Sequence, residues 1–249
     1  MRTRMQKLRV TLLASATLGA SVLFYVGSPA AADVTAVAGS ATSALVGGTP
    51  VTPTVAGSAT DPTDGFGPIG SGVDLLPSGV DCTQVGTTPG VPTPLLSLGL
   101  AEACTRGAGV AGENHLGFAE SGARVSDVII GTTNIGTVTT TCRADGNGAV
   151  GTTTITGMSS LPTNPTPGQQ VPVALGGLVP TTATLTLNEQ IVTNVPGTAT
   201  ITVNGVRLNL LGVEIILAQV TCSATGPNVN VTPTSSSTSS SSSPPTCKA

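Results

Sequence analysis

The pattern Thr-Cys-x-Ala-x-Gly occurs twice, at Thr141-Cys142-Arg143-Ala144-Asp145-Gly146 and at Thr221-Cys222-Ser223-Ala224-Thr225-Gly226. Each copy ends a run rich in Val, Ile, Leu and Thr, residues that suit a pleated, half-buried surface. Two strands that finish alike, each with a cysteine on its apolar side, predict one β-domain closed on itself by a Cys142–Cys222 disulfide. The preceding segments also match loosely. Val125-Ser-Asp-Val-Ile-Ile-Gly131 leads into the first copy and Val206-Arg-Leu-Asn-Leu-Leu-Gly212 into the second, with glycine-to-cysteine gaps of eleven and ten residues. A duplicated unit of this kind suits an antiparallel β-sandwich of two facing sheets.

Period-two alternation, which sorts side chains onto opposite faces of a strand, is clear from residue 119 onward. Val138, Thr140, Cys142 and Ala144 share one face, and Asp145-Gly146-Asn147-Gly148 turns the chain back into Ala149–Thr156. Ala183, Leu185 and Leu187 alternate with Thr184, Thr186 and Asn188. Ala199, Ile201 and Val203 lead to Asn204-Gly205, a type I′ turn signal, after which Val206, Leu208 and Leu210 resume the apolar face. Ile216, Ala218, Val220, Cys222 and Ala224 form a further face. Glu189 is placed to pair with Arg207 near that turn, and Arg143 with Asp145, since opposite charges support neighbouring strands. Upstream, the expectation is a strand over 34–46, irregular chain to about 72, and a short helix around Leu96–Cys104. Residues 158–180, with five prolines, read as a long connection.

The amino terminus has the layout of an export signal: Arg2, Arg4, Lys7 and Arg9, an apolar stretch from Val10 to Val26, then Ala30-Ala31-Ala32, with cleavage expected after Ala32. An uncleaved anchor is the competing reading of the same apolar stretch. Residues 1–32 are thus the signal peptide, 33–226 a single β-sandwich domain and 227–249 a Ser/Pro-rich tail. That tail, nearly all serine over 235–243, is too polar to offset its ordering entropy and reads as a disordered stalk. Its hydroxyls could carry sugars. The expected location is extracellular or cell-surface associated, with no membrane contact in the mature form.

After signal removal five basic residues face twelve acidic ones, a net charge of −7. This excludes nucleic acid, whose phosphates need basic patches. All five cysteines lie in the exported part, where disulfides persist. Spacing alone leaves three pairings of four cysteines open; the repeated motif favours Cys142–Cys222 and leaves Cys82–Cys104, with Cys247 unpaired. A zinc site is a poor rival, because no Cys-x-x-Cys occurs and the sole histidine, His115, is distant from every cysteine in sequence.

The layout resembles the actinobacterial choice-of-anchor P family of secreted proteins. The likeness is carried by Thr184-Leu-Thr-Leu-Asn-Glu-Gln190, Val203-Asn-Gly-Val-Arg-Leu-Asn-Leu-Leu-Gly212, Val220-Thr-Cys-Ser-Ala224 and the earlier Thr141–Gly146. It implies an exported β-rich module displayed at the cell surface by varied carboxy-terminal anchors. This chain departs from it at the end, where Pro245-Thr-Cys-Lys-Ala249 has no sorting motif and no apolar segment.

Chemistry-bearing residues are sparse. The mature chain holds one histidine, no tyrosine and no tryptophan. A hydrolase would have to use His115 as base with Glu113 or Glu120, and no nucleophile motif such as Gly-x-Ser-x-Gly accompanies them. Phe66 and Phe118 are the only aromatics left, too few for a stacking platform. No spaced Asp ligands suggest calcium, and no metal or cofactor is expected. Rows of threonine at 137/139/141, 184/186 and 198/200/202 could form hydroxyl-methyl surfaces able to meet ice or another ordered surface. The first expectation is a non-catalytic, structural or adhesive module with cell-wall or protein partners; a His115 hydrolase and a Thr-row surface binder are the alternatives.

Overall fold

Strand follows strand throughout the computed structural model, which describes residues 34–52, 54–60, 65–83, 88–89, 96–108, 117–175, 182–210, 212–227 and 229. The expected signal peptide with its cleavage after Ala32, His115 with Glu113, Cys247 and the serine tail lie outside these residues. In chain order the strands are β1 (Ala36–Val46), β2 (Thr49–Pro50), β3 (Thr54–Ala59), β4 (Phe66–Gly72), β5 (Cys82–Thr83), β6 (Thr88–Pro89), β7 (Leu96–Ser97) and β8 (Leu100–Ala108). They continue as β9 (Phe118–Ile130), β10 (Thr133–Asp145), β11 (Gly148–Gly157), β12 (Gln169–Ala174), β13 (Thr182–Val195), β14 (Thr198–Leu210) and β15 (Val213–Thr225).

They pair antiparallel in two sheets. The first runs β12-β13-β14-β15-β1, with β2 and β3 both on β1; the second runs β11-β10-β9-β8-β4-β5, with short β6 and β7 at its margin. The inward faces of both sheets merge in one apolar core, built from small and branched side chains such as Ala123, Val138, Ile155, Leu187, Ile201 and Leu217. Cys142 on β10 and Cys222 on β15 are joined through this core, Cα to Cα 6.0 Å, so the bond ties one sheet to the other. Cys82 and Cys104 form the second disulfide, and with Leu75 and Leu76 they make a small cluster on the outer side of the second sheet.

The duplication is a duplicated hairpin. β9 and β10 match β14 and β15 in length, thirteen residues each, with a two-residue turn in both. The strand bounds correspond at a constant offset of eighty residues, which carries Cys142 onto Cys222. The unequal glycine-to-cysteine gaps arise because Gly131 is the first turn residue and Gly212 the second; both have positive φ.

Four local expectations give way. Asn204-Gly205 is no turn: β14 runs unbroken from Thr198 to Leu210, and the hairpin closes earlier, at Pro196-Gly197. The phase jump from Val203 to Val206 is a change of face within one strand. Registry puts Asn188 opposite Gly205, Gly205 opposite Ala218, and Ala218 opposite Ser43, so four strands shift phase at one level and crease the sheet. Asn188 and Ala218 take the left-handed backbone region there, and Gly205 lets the sheets approach. A Cβ on it would collide with Thr140 and sit 2.8 Å from Val138 Cγ1. The second sheet shifts phase likewise at Asp127 and Gly136.

The helix expected at Leu96–Cys104 is instead β7 and β8, since Ala101 and Ala103 face the core while Cys104 reaches outward to Cys82. The irregular chain expected before 72 contains β3 and β4. Their Gly and Ser content hid them, yet the glycines have a use, because the Phe66 ring fills the space beside Gly57 and Gly107 that a side chain would need. The connection at 158–180 carries the short edge strand β12.

Candidate functional surfaces: the outer faces of the two sheets

Alternation fixes what each sheet shows to the outside. On the first sheet, β13, β14, β15, β1 and β3 are held in register, so outward side chains form rows across the strands. One row is Thr193, Thr200, Ser223, Ala38 and Ser58; the next is Ile191, Thr202, Thr221, Ser40 and Ala56. A third begins Val195, Thr198, Thr225 and Ala36. Hydroxyls bond across the β14–β15 seam: Thr198 with Thr225 at 3.2 Å, Thr200 with Ser223 at 2.8 Å, Thr202 with Thr221 at 2.9 Å. These bonds fix rotamers and leave methyl groups and the remaining hydroxyl lone pairs outward. Where threonine gives way to Ala38, Ser40, Ala56 and Ser58, beside Thr221 and Ser223, the face dips into a groove of about 400 Å³.

At the crease this neutral face meets a polar cluster. Glu189 accepts from Asn204 Nδ2 at 2.7 Å and from Arg207 Nη1 at 2.7 Å; Arg207 Nε donates to Glu214 at 2.6 Å; Gln219 Nε2 donates to Asn204 Oδ1 at 2.8 Å. The bonds to Glu214 and Glu189 raise the pKa of Arg207 further above its already high ordinary value. The Glu189–Arg207 pair expected from sequence is present, but it spans β13 and β14 directly, without a turn between.

The second sheet presents a different exterior. Thr137, Thr139 and Thr141 lie opposite Thr156, Thr154 and Thr152 as a two-column array on the β10–β11 hairpin, with Thr141 and Thr152 hydrogen-bonded at 3.1 Å. Beside it are ion pairs: Glu102 with Arg124, and Glu120 with Arg143, which also holds Asp145 at 3.2 Å. Arg143 and Arg106 both stack on Phe118, at 4.2 and 5.1 Å from the ring centroid. Glu120 is fully buried, and its Oε2 has no hydrogen-bond partner.

The threonine rows thus do not merge. Those at 137–141 and 198–202 lie on opposite sides of the sandwich, and Thr184 and Thr186 fall beyond the crease, next to Pro172 and Gln170 of β12. Sequence reasoning missed Thr221, Ser223, Thr225, Ser40 and Ser58, which complete the first face. The alternation of Thr221, Ser223 and Thr225 within the cysteine motif was the available signal. Of the His115 constellation only Glu120 is described, and it is engaged by Arg143. Among the described residues no group of three His, Cys, Asp or Glu side chains is placed to hold a metal ion, and no helix is long and apolar enough to cross a membrane. The two disulfides mark an oxidising environment. No family model, curated protein or solved structure matches this chain.

Proposed function

We propose that this chain is an exported, non-catalytic β-module of the cell envelope or extracellular matrix that makes adhesive or structural contact through the outer face of its first sheet. The observation that carries this reading is the registered hydroxyl lattice of Thr198, Thr200, Thr202, Thr221, Ser223 and Thr225, running into the groove beside Ser40 and Ser58. A neutral face of fixed hydroxyls and methyls suits a broad, repeating partner such as a wall polymer or a protein layer. A small-molecule site would instead gather a few convergent polar groups in a deep pocket. Membership of the choice-of-anchor P family, signal cleavage after Ala32 and display at the surface belong to the same proposal and are supported by the sequence features above.

The test is fractionation of cells that express the native protein, beside a variant carrying Thr200→Lys, Thr202→Lys and Ser40→Lys. The wild type should sediment with the wall or matrix, and the triple variant should appear in the medium with its disulfides intact. Equal partition of the two would sink the proposal. The same lattice favours a second reading, contact with ice, and thermal hysteresis of the purified protein would decide for it. The His115 hydrolase remains the third reading; burial of Glu120 against Arg143 keeps water from that carboxylate, and a turnover lost in His115→Ala would establish it.

A further inference from the structure

Every edge of a β-sheet offers unpaired N–H and C=O groups to another strand, and proteins ordinarily blunt such edges with proline, glycine kinks, charge or a covering loop. Most edges here are blunted. β12 is six residues long and contains Pro172. β4 is bent at Gly67, Gly70 and Gly72, all with positive φ, and β5 beyond it spans two residues. β3 is six residues long, with Phe66 against its Gly57. On β11 two of the outward groups are engaged: Gly151 O accepts from Gln190 Nε2 at 2.8 Å, and Ile155 N donates to Thr163 O at 2.8 Å.

The upper half of β13 is the exception. β12 pairs only with Thr182–Leu187, and Gly168 N closes the last contact at Asn188 O, 3.0 Å. Beyond that level, Glu189–Val195 pairs with β14 on one side and with no described strand on the other. The two-residue turn at Pro196-Gly197 makes Val195 and Thr198 the closing hydrogen-bonded pair. The backbone groups of Val195, Thr193 and Ile191 therefore point to β14, and those of Gln190, Val192 and Asn194 point away. This segment has no Pro, no Gly, no Lys and no Arg, and Ile191 and Val195 are about half exposed on its outer face.

We propose that this edge is an interaction surface for the same segment of a second copy of the chain, paired antiparallel about Val192. The segment is self-complementary: Val192 meets Val192 of the other copy, Ile191 meets Thr193, and Gln190 meets Asn194. No like charges are set opposite one another, because the one charged residue, Glu189, falls opposite Val195. The pairing is isologous and closes as a two-fold dimer, and it joins the two first sheets into one, with the hydroxyl rows of each copy continuing from its neighbour's. A contact through one short strand is small, so the dimer should be weak and its population should depend on concentration. The inference does not depend on what the hydroxyl face contacts.

The test is the solution mass of the oxidised chain from residue 33 onward, by sedimentation across a concentration series. The wild type should pass from monomer to dimer. Val192→Pro, which removes an outward N–H at a position where strand φ tolerates proline, should stay monomeric. Ile191→Lys, on the exposed face, should weaken association at least tenfold and guards against misfolding of the proline variant, whose disulfide map must match the wild type. A wild type monomeric up to about 500 µM overturns the proposal. So does a dimer that survives both substitutions, since it would use another surface.

Discussion

Glu120 shows how little a charge census says about a single carboxylate. Read in sequence beside His115, it is a candidate acid or base. In the fold it sits on β9 between Arg106 of β8 and Arg143 of β10, fully buried, with one oxygen on Arg143 and the other unpartnered. The physics of such a pair is asymmetric. Arg143→Ala strands a buried carboxylate and should cost roughly 2–4 kcal/mol, whereas Glu120→Gln removes the buried charge, leaves Arg143 partly solvated against Asp145, and should cost about 1 kcal/mol or less. Urea denaturation of both variants checks the order, and equal losses would show the ion pair to be irrelevant. Arg207 differs in kind. Its raised pKa means that any stability it contributes is fully present below its unfolded value and is lost only as pH climbs through the folded one, in strong alkali. A titration near neutrality should leave the charge on Arg207 unchanged.

Among the elements, stretches with strict alternation were legible: β10 and β11 lie where period two placed them, as do the inward faces Ala199–Val203 of β14 and Val220–Ala224 of β15, and the duplicated hairpin follows from its repeated motif. The crease was not legible, for a physical reason. An aligned phase shift in four strands is a property of the sheet, and one strand's sequence shows it only as a break in alternation beside Asn-Gly, the same signal a turn would give. β3 and β4 escaped because glycine, a poor strand former alone, is required here by close approach: the Phe66 ring lies against Gly57, and the Thr105 and Ala103 carbonyls lie against Gly67 and Gly70. The threonine face was half legible, since rows could be read along each strand while their neighbours depended on register. The crease makes Gly205 the most constrained position of β14. Gly205→Ala would drive a methyl into Thr140, Val138 and the carbonyl of Leu217, the last at 2.9 Å. The expected loss is about 1–3 kcal/mol of overpacking, read as a lowered melting temperature; no loss would mean that the sheets can part at this level.

At the scale of the molecule, the Cys142–Cys222 bond holds the sheets together across a core built mainly from small and branched side chains, with Phe66 packed against it. It closes a span of eighty residues, for which chain entropy allows up to about 4.5 kcal/mol, with typical measured values of 2–4. Replacing both cysteines with alanine should therefore lower unfolding free energy by about 3 kcal/mol in oxidising buffer, with Cys82–Cys104 intact. A loss under about 1 kcal/mol would mean that the unfolded chain already keeps the hairpins close. The pairing of β1 with β15 has a mechanical corollary. Thr35 N donates to Thr225 O at 2.7 Å, and Ala36 lies opposite Thr225, so the chain enters and leaves the sandwich at one corner. A leash fixed at that corner, from either side, would hold the module by its base, with the Val46–Val213 pole standing about 40 Å outward along the thirteen residues of β15. Tension drawn between Thr35 and Thr225 would peel β1 from β15 one rung at a time. A pull applied between Thr225 and the opposite pole would pass along the strands and be shared by every rung at once.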